Sequence, residues 1–366
     1  MRLIYFSLDY CSHDHRFLSA LSETDHEVYY VRLQSGPRQT EDRPVPSNIQ
    51  QVRWAGGRSE FHWRDVPRDV FSLKRVIQRV QPDLIHAGPI QTCAFISAMT
   101  GFHPILTISW GFDLMQDVHK NRWMEWITRF VLHHTDYFTS DARVTRDKAV
   151  AYGMNPERTV VFPWGVDLAQ FSPTETGVTN PPSIVLLCNR SWEPLYGVDV
   201  LAKAFVTVAR KRPDLSLLLL GSGSQGTTIR HILERGGVMD RVTFSGQISQ
   251  TILTRYYHMA DLYISPAHVD GSSVSLMEAL ACGLPCLVSD IPGNKEWISE
   301  GENGWLFPDG DAPALAEKII QIVQQPRQLK TIGQKARDTA EQRADWKKNF
   351  GQLMHAYELT VNIGRK

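Results

Sequence analysis

The chain has 366 residues, 42% of them hydrophobic, which is enough for two ordinary cores and too long for one. Lys plus Arg and Asp plus Glu balance at 39 each, which excludes a nucleic-acid binder working through a global basic excess and leaves specificity to local sites. No apolar run approaches the ~18 residues of a membrane span, and five irregularly spaced cysteines (Cys11, Cys93, Cys188, Cys282 and Cys286) read as buried reduced thiols, not as a disulfide frame or metal set.

In chain order, short apolar runs alternate with longer amphipathic stretches. Strands are expected over 3–7, 27–33, 84–87, 105–109, 137–139 and 160–162, with helices over 70–81 and 121–134 among them. The run at 3–7 is too short for the apolar core of a signal peptide and reads as a first buried strand, so a cytoplasmic protein is expected. This βαβα alternation predicts a parallel sheet with helices on both faces. The segment 120–134 sets Trp123, Trp126, Ile127 and Phe130 beside Lys120, Arg122 and Arg129. Packing on the sheet accounts for its apolar residues, and peripheral contact with the anionic inner face of a membrane is a second expectation.

Residues 172–182 are rich in Pro and Thr, lack periodicity and make the best linker. The alternation then restarts, with strands expected over 183–188, 215–220, 242–245, 262–265 and 286–289 and a helix over 198–211. A last helix over 345–360 carries Trp346, Phe350, Leu353, Met354 and Tyr357 at helical spacing. The expected fold is α/β, with two doubly wound Rossmann-like domains over 1–171 and 172–344. Open sheets of this kind bind ligands beyond the carboxyl ends of their strands, so the two are expected to face each other across a cleft.

The most informative stretch follows the strand at 262–265. A loop carries Asp270 and Gly271, and a helix begins near Ser272 or Ser273 and stops at Gly283, with Pro285 just beyond. The first amides of a helix lack internal partners and the dipole there is positive, which suits a diphosphate. Asp270 and Glu278 bracket the loop with negative charge, which suits a diphosphate bearing hydroxyl-rich groups at both ends. Glu278 stands between Met277 and Ala279-Leu280-Ala281, where a charge is costly without a partner.

These residues resemble glycosyltransferase family 4, retaining enzymes of the GT-B fold. Its signature is two acids eight positions apart, met here as Asp270-Gly271 and Glu278-Ala279-Leu280-Ala281-Cys282-Gly283-Leu284-Pro285. Phe244-Ser245-Gly246, Tyr257-His258-Met259-Ala260-Asp261 and Ser289-Asp290-Ile291-Pro292-Gly293 are similar to the family pattern as well. The resemblance implies that Asp270 contacts the transferred sugar, Glu278 holds the ribose, and the amides around Ser272, Ser273 and Val274 hold the diphosphate. Gly271 and Gly246 would lie at the donor, and Arg190 matches the arginine that binds the donor phosphates, a task suited to a bidentate guanidinium. It also implies that the C-terminal helix over 345–366 packs back on the first domain. The function implied is metal-independent transfer, with retention, from a nucleoside-diphosphate sugar to an acceptor hydroxyl on a glycan or lipid-linked glycan, with no cofactor beyond that co-substrate. A sugar-nucleotide epimerase or hydrolase of the same plan, or a non-catalytic nucleotide-sugar-binding scaffold subunit, are the alternatives.

Some positions depart from the family. Asp270 stands where Glu is frequent, and Tyr196-Gly197 stands where a phosphate-binding lysine precedes the glycine; Lys203, on the following helix, is a candidate replacement. In the first domain, Trp110-Gly111-Phe112-Asp113 replaces a His-Gly-x-Asp pattern, and His13, Asp14 and Asp113 are candidates for acceptor contact. Gly221-Ser222-Gly223-Ser224-Gln225-Gly226 fits a dinucleotide fingerprint literally. It follows the second strand of its domain, though, and lacks the later acid, so its glycines are expected only to make room near the nucleotide. Asp309-Gly310-Asp311 resembles a metal-binding acid pair, but Asp311 as a helix cap explains it better, and no metal is expected.

Overall fold

The computed structural model describes residues 1–35, 41–57, 59–174 and 184–364. Most of the expected linker, 175–182, lies outside the described residues. The chain divides into two compact units, Pro163–Asn349 and Met1–Phe162 joined by the chain from Phe350 onward. The division falls at Phe162/Pro163, nine residues before the expected boundary. Residues after Pro163 are tied to the second unit: Val166 bridges Asp345, and Arg337 donates to the Phe171 carbonyl at 2.8 Å.

Among the described residues the first unit holds seven parallel strands: β1 (Arg2–Ser7), β2 (Glu27–Arg32), β3 (Gln50–Gln51), β4 (Leu84–Ala87), β5 (Ile105–Ile108), β6 (Tyr137–Ser140) and β7 (Thr159–Val161). Their spatial order is β3-β2-β1-β4-β5-β6-β7. The described residues of the second unit hold six: β8 (Ile184–Cys188), β9 (Leu215–Leu220), β10 (Val242–Gly246), β11 (Leu262–Ser265), β12 (Cys286–Ser289) and β13 (Trp305–Phe307). Their order is β10-β9-β8-β11-β12-β13, again parallel throughout. Both sheets are doubly wound, and their strand order reverses at β1/β4 and at β8/β11.

Continuous apolar runs are what strands covered on both faces require. Alternate residues of β9 serve opposite layers. Leu217 and Leu219 join one buried cluster with the helix Val198–Lys211, while Leu218 and Leu220 join another with the helix Val274–Ala281. The C-terminal helix, Trp346–Gly364, begins in the second unit and continues in the first. Within the first unit it is anchored by a buried bond between Tyr357 Oη and His86 Nδ1, 2.7 Å apart. Among the described residues no helix is long and apolar enough to cross a membrane.

Candidate active site

In the second unit the strand order reverses between β8 and β11, where chain segments leave the sheet in opposite directions and open a crevice at the carboxyl ends. Arg190 follows β8, and the Asp270 loop follows β11. Ser273 is the N-cap of the helix Val274–Ala281, its Oγ accepting from the Leu276 amide at 3.4 Å, and Gly283 ends the helix with φ +68°. The Val274 and Ser275 amides, in the first turn, have no intrahelical acceptor.

Arg190 gathers this end of the helix. Its Nη1 donates to Ser273 Oγ at 2.5 Å and to Ser275 Oγ at 3.0 Å, and its Nη2 donates to Asp270 Oδ2 at 2.7 Å. Burial works against its charge, yet the Asp270 carboxylate holds the guanidinium pKa above its ordinary value. The guanidinium also lies 4.3 Å over the Tyr196 ring. An arginine, an acid and a helix amino end are thus held in one hydrogen-bonded group.

Glu278 is 2% exposed, on the same helix. Its Oε2 accepts from Tyr257 Oη at 2.8 Å, and the Tyr257 hydroxyl accepts from Asn189 Nδ2 at 2.7 Å. Gln250 Nε2 stands 3.5 Å from Oε1. Burial, reinforced by the Glu278 charge, pushes the Tyr257 phenol well above its usual range, so it stays a proton donor. Tyr257 Oη also lies 3.1 Å from the Ser275 carbonyl, which links the Glu278 cluster to the Arg190 cluster. Asn189 and Tyr257 carry no charge, and their parts in this network were not assigned from the sequence. The signals there are that Tyr257 opens one of the family-like motifs and that Asn189 adjoins Arg190.

The loop is set from below by Gly293. A Cβ there would fall 2.3 Å from the Asp270 carbonyl and 2.4 Å from that of Gly271, so no other residue fits. Ser272 is 4% exposed and its Oγ accepts from Trp297 Nε1 at 3.0 Å, so its side chain serves the loop. Gly246, with φ +68°, has open space where a Cβ would be.

Three expectations are corrected. The glycine-rich run at 221–226 does not make room for a nucleotide: it is filled by this chain's own Trp192 and Glu193. A Cβ on Gly223 would lie 2.6 Å from the Trp192 carbonyl, Trp192 Nε1 donates to the Leu220 carbonyl at 3.0 Å, and Ser224 binds the Glu193 carboxylate. Asp113 is fully buried and accepts from Ser109 Oγ at 2.5 Å and from the Ile90, Trp110 and Leu114 amides, so it organises the turn after β5 and cannot reach an acceptor. Asp14 is 1% exposed and accepts from Tyr5 Oη and from the Cys11 amide and thiol, closing the first turn of the helix Ser12–Ser22. Burial raises both carboxyls to about 6. His13 is half-buried after β1, its ring 5.6 Å from that of Trp110.

The missing lysine is not replaced by Lys203, whose ammonium is held by Asp199 at 2.7 Å, one turn earlier on the exposed side of its own helix. Asp311 accepts from the Ala314 amide at 2.9 Å as the cap of the helix Ala312–Val323, and Asp309 takes His268 Nδ1 at 2.6 Å.

Two doubly wound parallel sheets, one carrying an arginine, an acid-Gly-Ser-Ser loop and a helix amino end at its switch point, define an α/β protein of the GT-B fold. The comparisons narrow the class. Residues 13–170 match the family model described as Glycosyltransferase Family 4, and residues 175–339 match that described as Glycosyl transferases group 1. The chain is 30% identical over 211 residues to phosphatidyl-myo-inositol mannosyltransferase of Mycobacterium leprae, an alignment covering 57% of this chain and 55% of that protein. It is 24% identical over 374 residues to D-inositol 3-phosphate glycosyltransferase of Paenarthrobacter aurescens, covering 94% and 91%. The first alignment thus spans about half of that relative's length. Among solved structures, sucrose-phosphate synthase from Thermosynechococcus elongatus superposes with a TM-score of 0.82 at 20% identity, covering 98% of each chain. Anabaena HepE in complex with UDP-glucose gives 0.78 at 17%, covering 98% of this chain and 99% of that one. The chain belongs to glycosyltransferase family 4.

Proposed function

We propose that the chain moves a sugar from a nucleoside-diphosphate sugar to an acceptor hydroxyl on a glycan or a lipid-linked glycan, without a metal and with retention at the anomeric carbon. The observation that carries this reading is the Arg190 guanidinium, bonded at once to Asp270 and to Ser273 and Ser275 at the amino end of the site helix. As the anomeric C–O bond breaks, negative charge grows on the departing diphosphate and positive charge on the sugar ring. Arg190 and the first-turn amides stabilise the former. Asp270 accepts from the sugar hydroxyls and orients the ring, and Glu278, held by Tyr257, accepts from the ribose. Preorganised donors of this kind contribute about 3 kcal/mol each in other enzymes. With no lysine at Tyr196, Arg190 carries the larger share of phosphate binding. The UDP-glucose bound to Anabaena HepE, a protein of the same fold, supports a donor of this class. With Asp14 and Asp113 engaged in buried turns, His13 beside Trp110 is the remaining acceptor-side candidate.

The test is a thermal-shift screen against UDP-, GDP- and ADP-sugars, since a ligand that binds the folded state alone raises its melting point. Incubation of the selected donor with an acceptor panel then follows, with the product anomer read by NMR. A stabilising donor and a product that keeps the donor's anomeric configuration are expected. Release of free sugar with no acceptor dependence would favour a hydrolase instead.

A further inference from the structure

The first unit carries an apolar face that its core does not use. The helices Val66–Val80, Phe95–Met99 and Arg122–His133 form one layer on the sheet, with Leu73, Val76, Ile127 and Val131 in the core. On the outer side, Trp63, Phe71, Met99, Trp123 and Trp126 are between 38% and 57% exposed. Among the described residues only Ile252 and Met259 are other large hydrophobics this exposed, so the apolar exposure is concentrated here, not scattered.

The rings form one connected row. Trp63 lies 6.4 Å from Trp123, Trp123 stacks on Trp126 at 4.9 Å, and Trp126 stacks on Phe130 at 5.4 Å. Phe95 lies behind them, 6.1 Å from Trp63 and 6.5 Å from Trp126. A hollow of about 360 Å³ adjoins the end of the row, lined by Trp126, Arg129, Phe130, His133, His134 and Tyr152.

Charge is arranged around this row with one sign in excess. Segments 60–80 and 117–134 hold eight Lys and Arg against five Asp and Glu, in a chain whose formal net charge is zero. The acids are mostly engaged: Asp65 and Asp69 with Arg68, Asp117 with Lys120, and Glu125 with Arg129. Glu60 is exposed outside these pairs. Arg64, Lys74, Arg75 and Arg122 have no carboxylate partner among the described residues. Arg64 and Arg122 adjoin Trp63 and Trp123 in sequence, and the Arg75 guanidinium lies 4.4 Å over Phe71.

We infer that this face docks on an anionic lipid surface, with Trp63, Trp123 and Trp126 entering the headgroup boundary and the unpaired cations meeting lipid phosphates. Trp suits that boundary because an apolar ring carries one polar N–H, and cations flanking an apolar helix face supply the electrostatic half of the attraction. A glycan fits less well. A sugar would need an open indole face, and the Trp123–Trp126 and Trp126–Phe130 stacks, with interplanar angles of 11° and 19°, cover faces it would use. The inference stands on the first unit alone and is independent of the proposed donor chemistry.

The test is flotation of the full chain with phosphatidylcholine vesicles, with and without about one third phosphatidylglycerol. The wild type is expected to float with the anionic vesicles and to be released by high salt. Trp123→Ala/Trp126→Ala is expected to lose binding about tenfold or more with an unchanged melting temperature, because these side chains are half outside the core. Arg64→Gln/Arg122→Gln is expected to lose the anionic preference, at about fivefold per cation. A wild type that stays at the bottom of the gradient overturns the inference, as does a tryptophan variant that floats as well. A concentration-dependent dimer abolished by the same variant would assign the face to self-association and overturn it too.

Discussion

Replacing Arg190 by alanine perturbs the site at its most connected atom group, and the cost can be worked from the structure. Arg190 and Asp270 are 2.7 Å apart, with side chains 10% and 18% exposed. Truncating one member of a buried pair leaves the other charge uncompensated, at about 3–5 kcal/mol. Asp270 keeps some contact with water, so the lower end applies. The bonds to Ser273 and Ser275 add about 1 kcal/mol each, and the expected total for Arg190→Ala is about 4–5 kcal/mol. Asp270→Asn keeps the shape and an acceptor oxygen but removes the charge, and is expected to cost about 1–2 kcal/mol. The double variant has no stranded carboxylate, so its loss should fall short of the sum of the singles by about 2–3 kcal/mol. Scanning calorimetry of the second unit's transition reads this cycle and requires no substrate. Singles that add to within about 0.5 kcal/mol would refute the coupling and, with it, the claim that Arg190 and Asp270 act as one group.

Tyr257→Phe removes the donor to Glu278 Oε2 and the acceptor for Asn189; it is expected to cost about 1–3 kcal/mol and to weaken nucleotide affinity with little change in turnover, read by titration calorimetry and initial rates. Gly293→Ala drives a methyl group into the Asp270 and Gly271 carbonyls; donor KM should rise in a variant whose new side chain touches no ligand, and an unchanged KM would mean the loop is not fixed from below. Acid stability depends on His86. Burial lowers its pKa from 6.5 to about 3, so the native state holds the neutral ring while the unfolded state takes up a proton near 6.5. Its contribution is therefore complete above pH 6.5 and lost as pH falls toward 3. Relative to His86→Gln, the wild type should lose about 3 kcal/mol between pH 7 and pH 4, measured by urea titration at each pH. Asp14 and Asp113 have the opposite sign: with carboxyls raised to about 6, their contribution is full below pH 4 and lost as pH rises through 6.

The sequence was most legible where periodicity and punctuation coincide. Leu215–Leu220 and Val198–Lys211 stand where their apolar spacing places them, and the site helix stops at Gly283 as its C-terminal glycine requires. Gln50–Gln51 and Trp305–Phe307 were missed as strands, the first because two polar edge residues carry no apolar signal. At the site, Glu278 was readable as a charge that needed a partner and Asp270 as an acid bracketing a helix start, while Arg190 came only through the family resemblance. Which partners they take depends on contacts across 21 to 83 sequence positions, such as Tyr257 to Glu278 and Arg190 to Ser273, and no local pattern records those. Asp14 and Asp113 misled for the same reason: an acid after a strand looks alike whether it faces solvent or closes a buried turn.

The central claim is that the amino end of the helix Val274–Ala281, with Arg190, binds a nucleoside diphosphate. Calorimetric titration of UDP, GDP and ADP into the wild type and Arg190→Ala, each with and without EDTA, tests it most directly. One nucleotide is expected to bind at one site per chain, unaffected by the chelator, and to lose about 100-fold in affinity without the arginine, as for a charged hydrogen-bond pair worth about 3 kcal/mol. Binding of equal strength in the variant, or heat from none of the three nucleotides, would contradict the account.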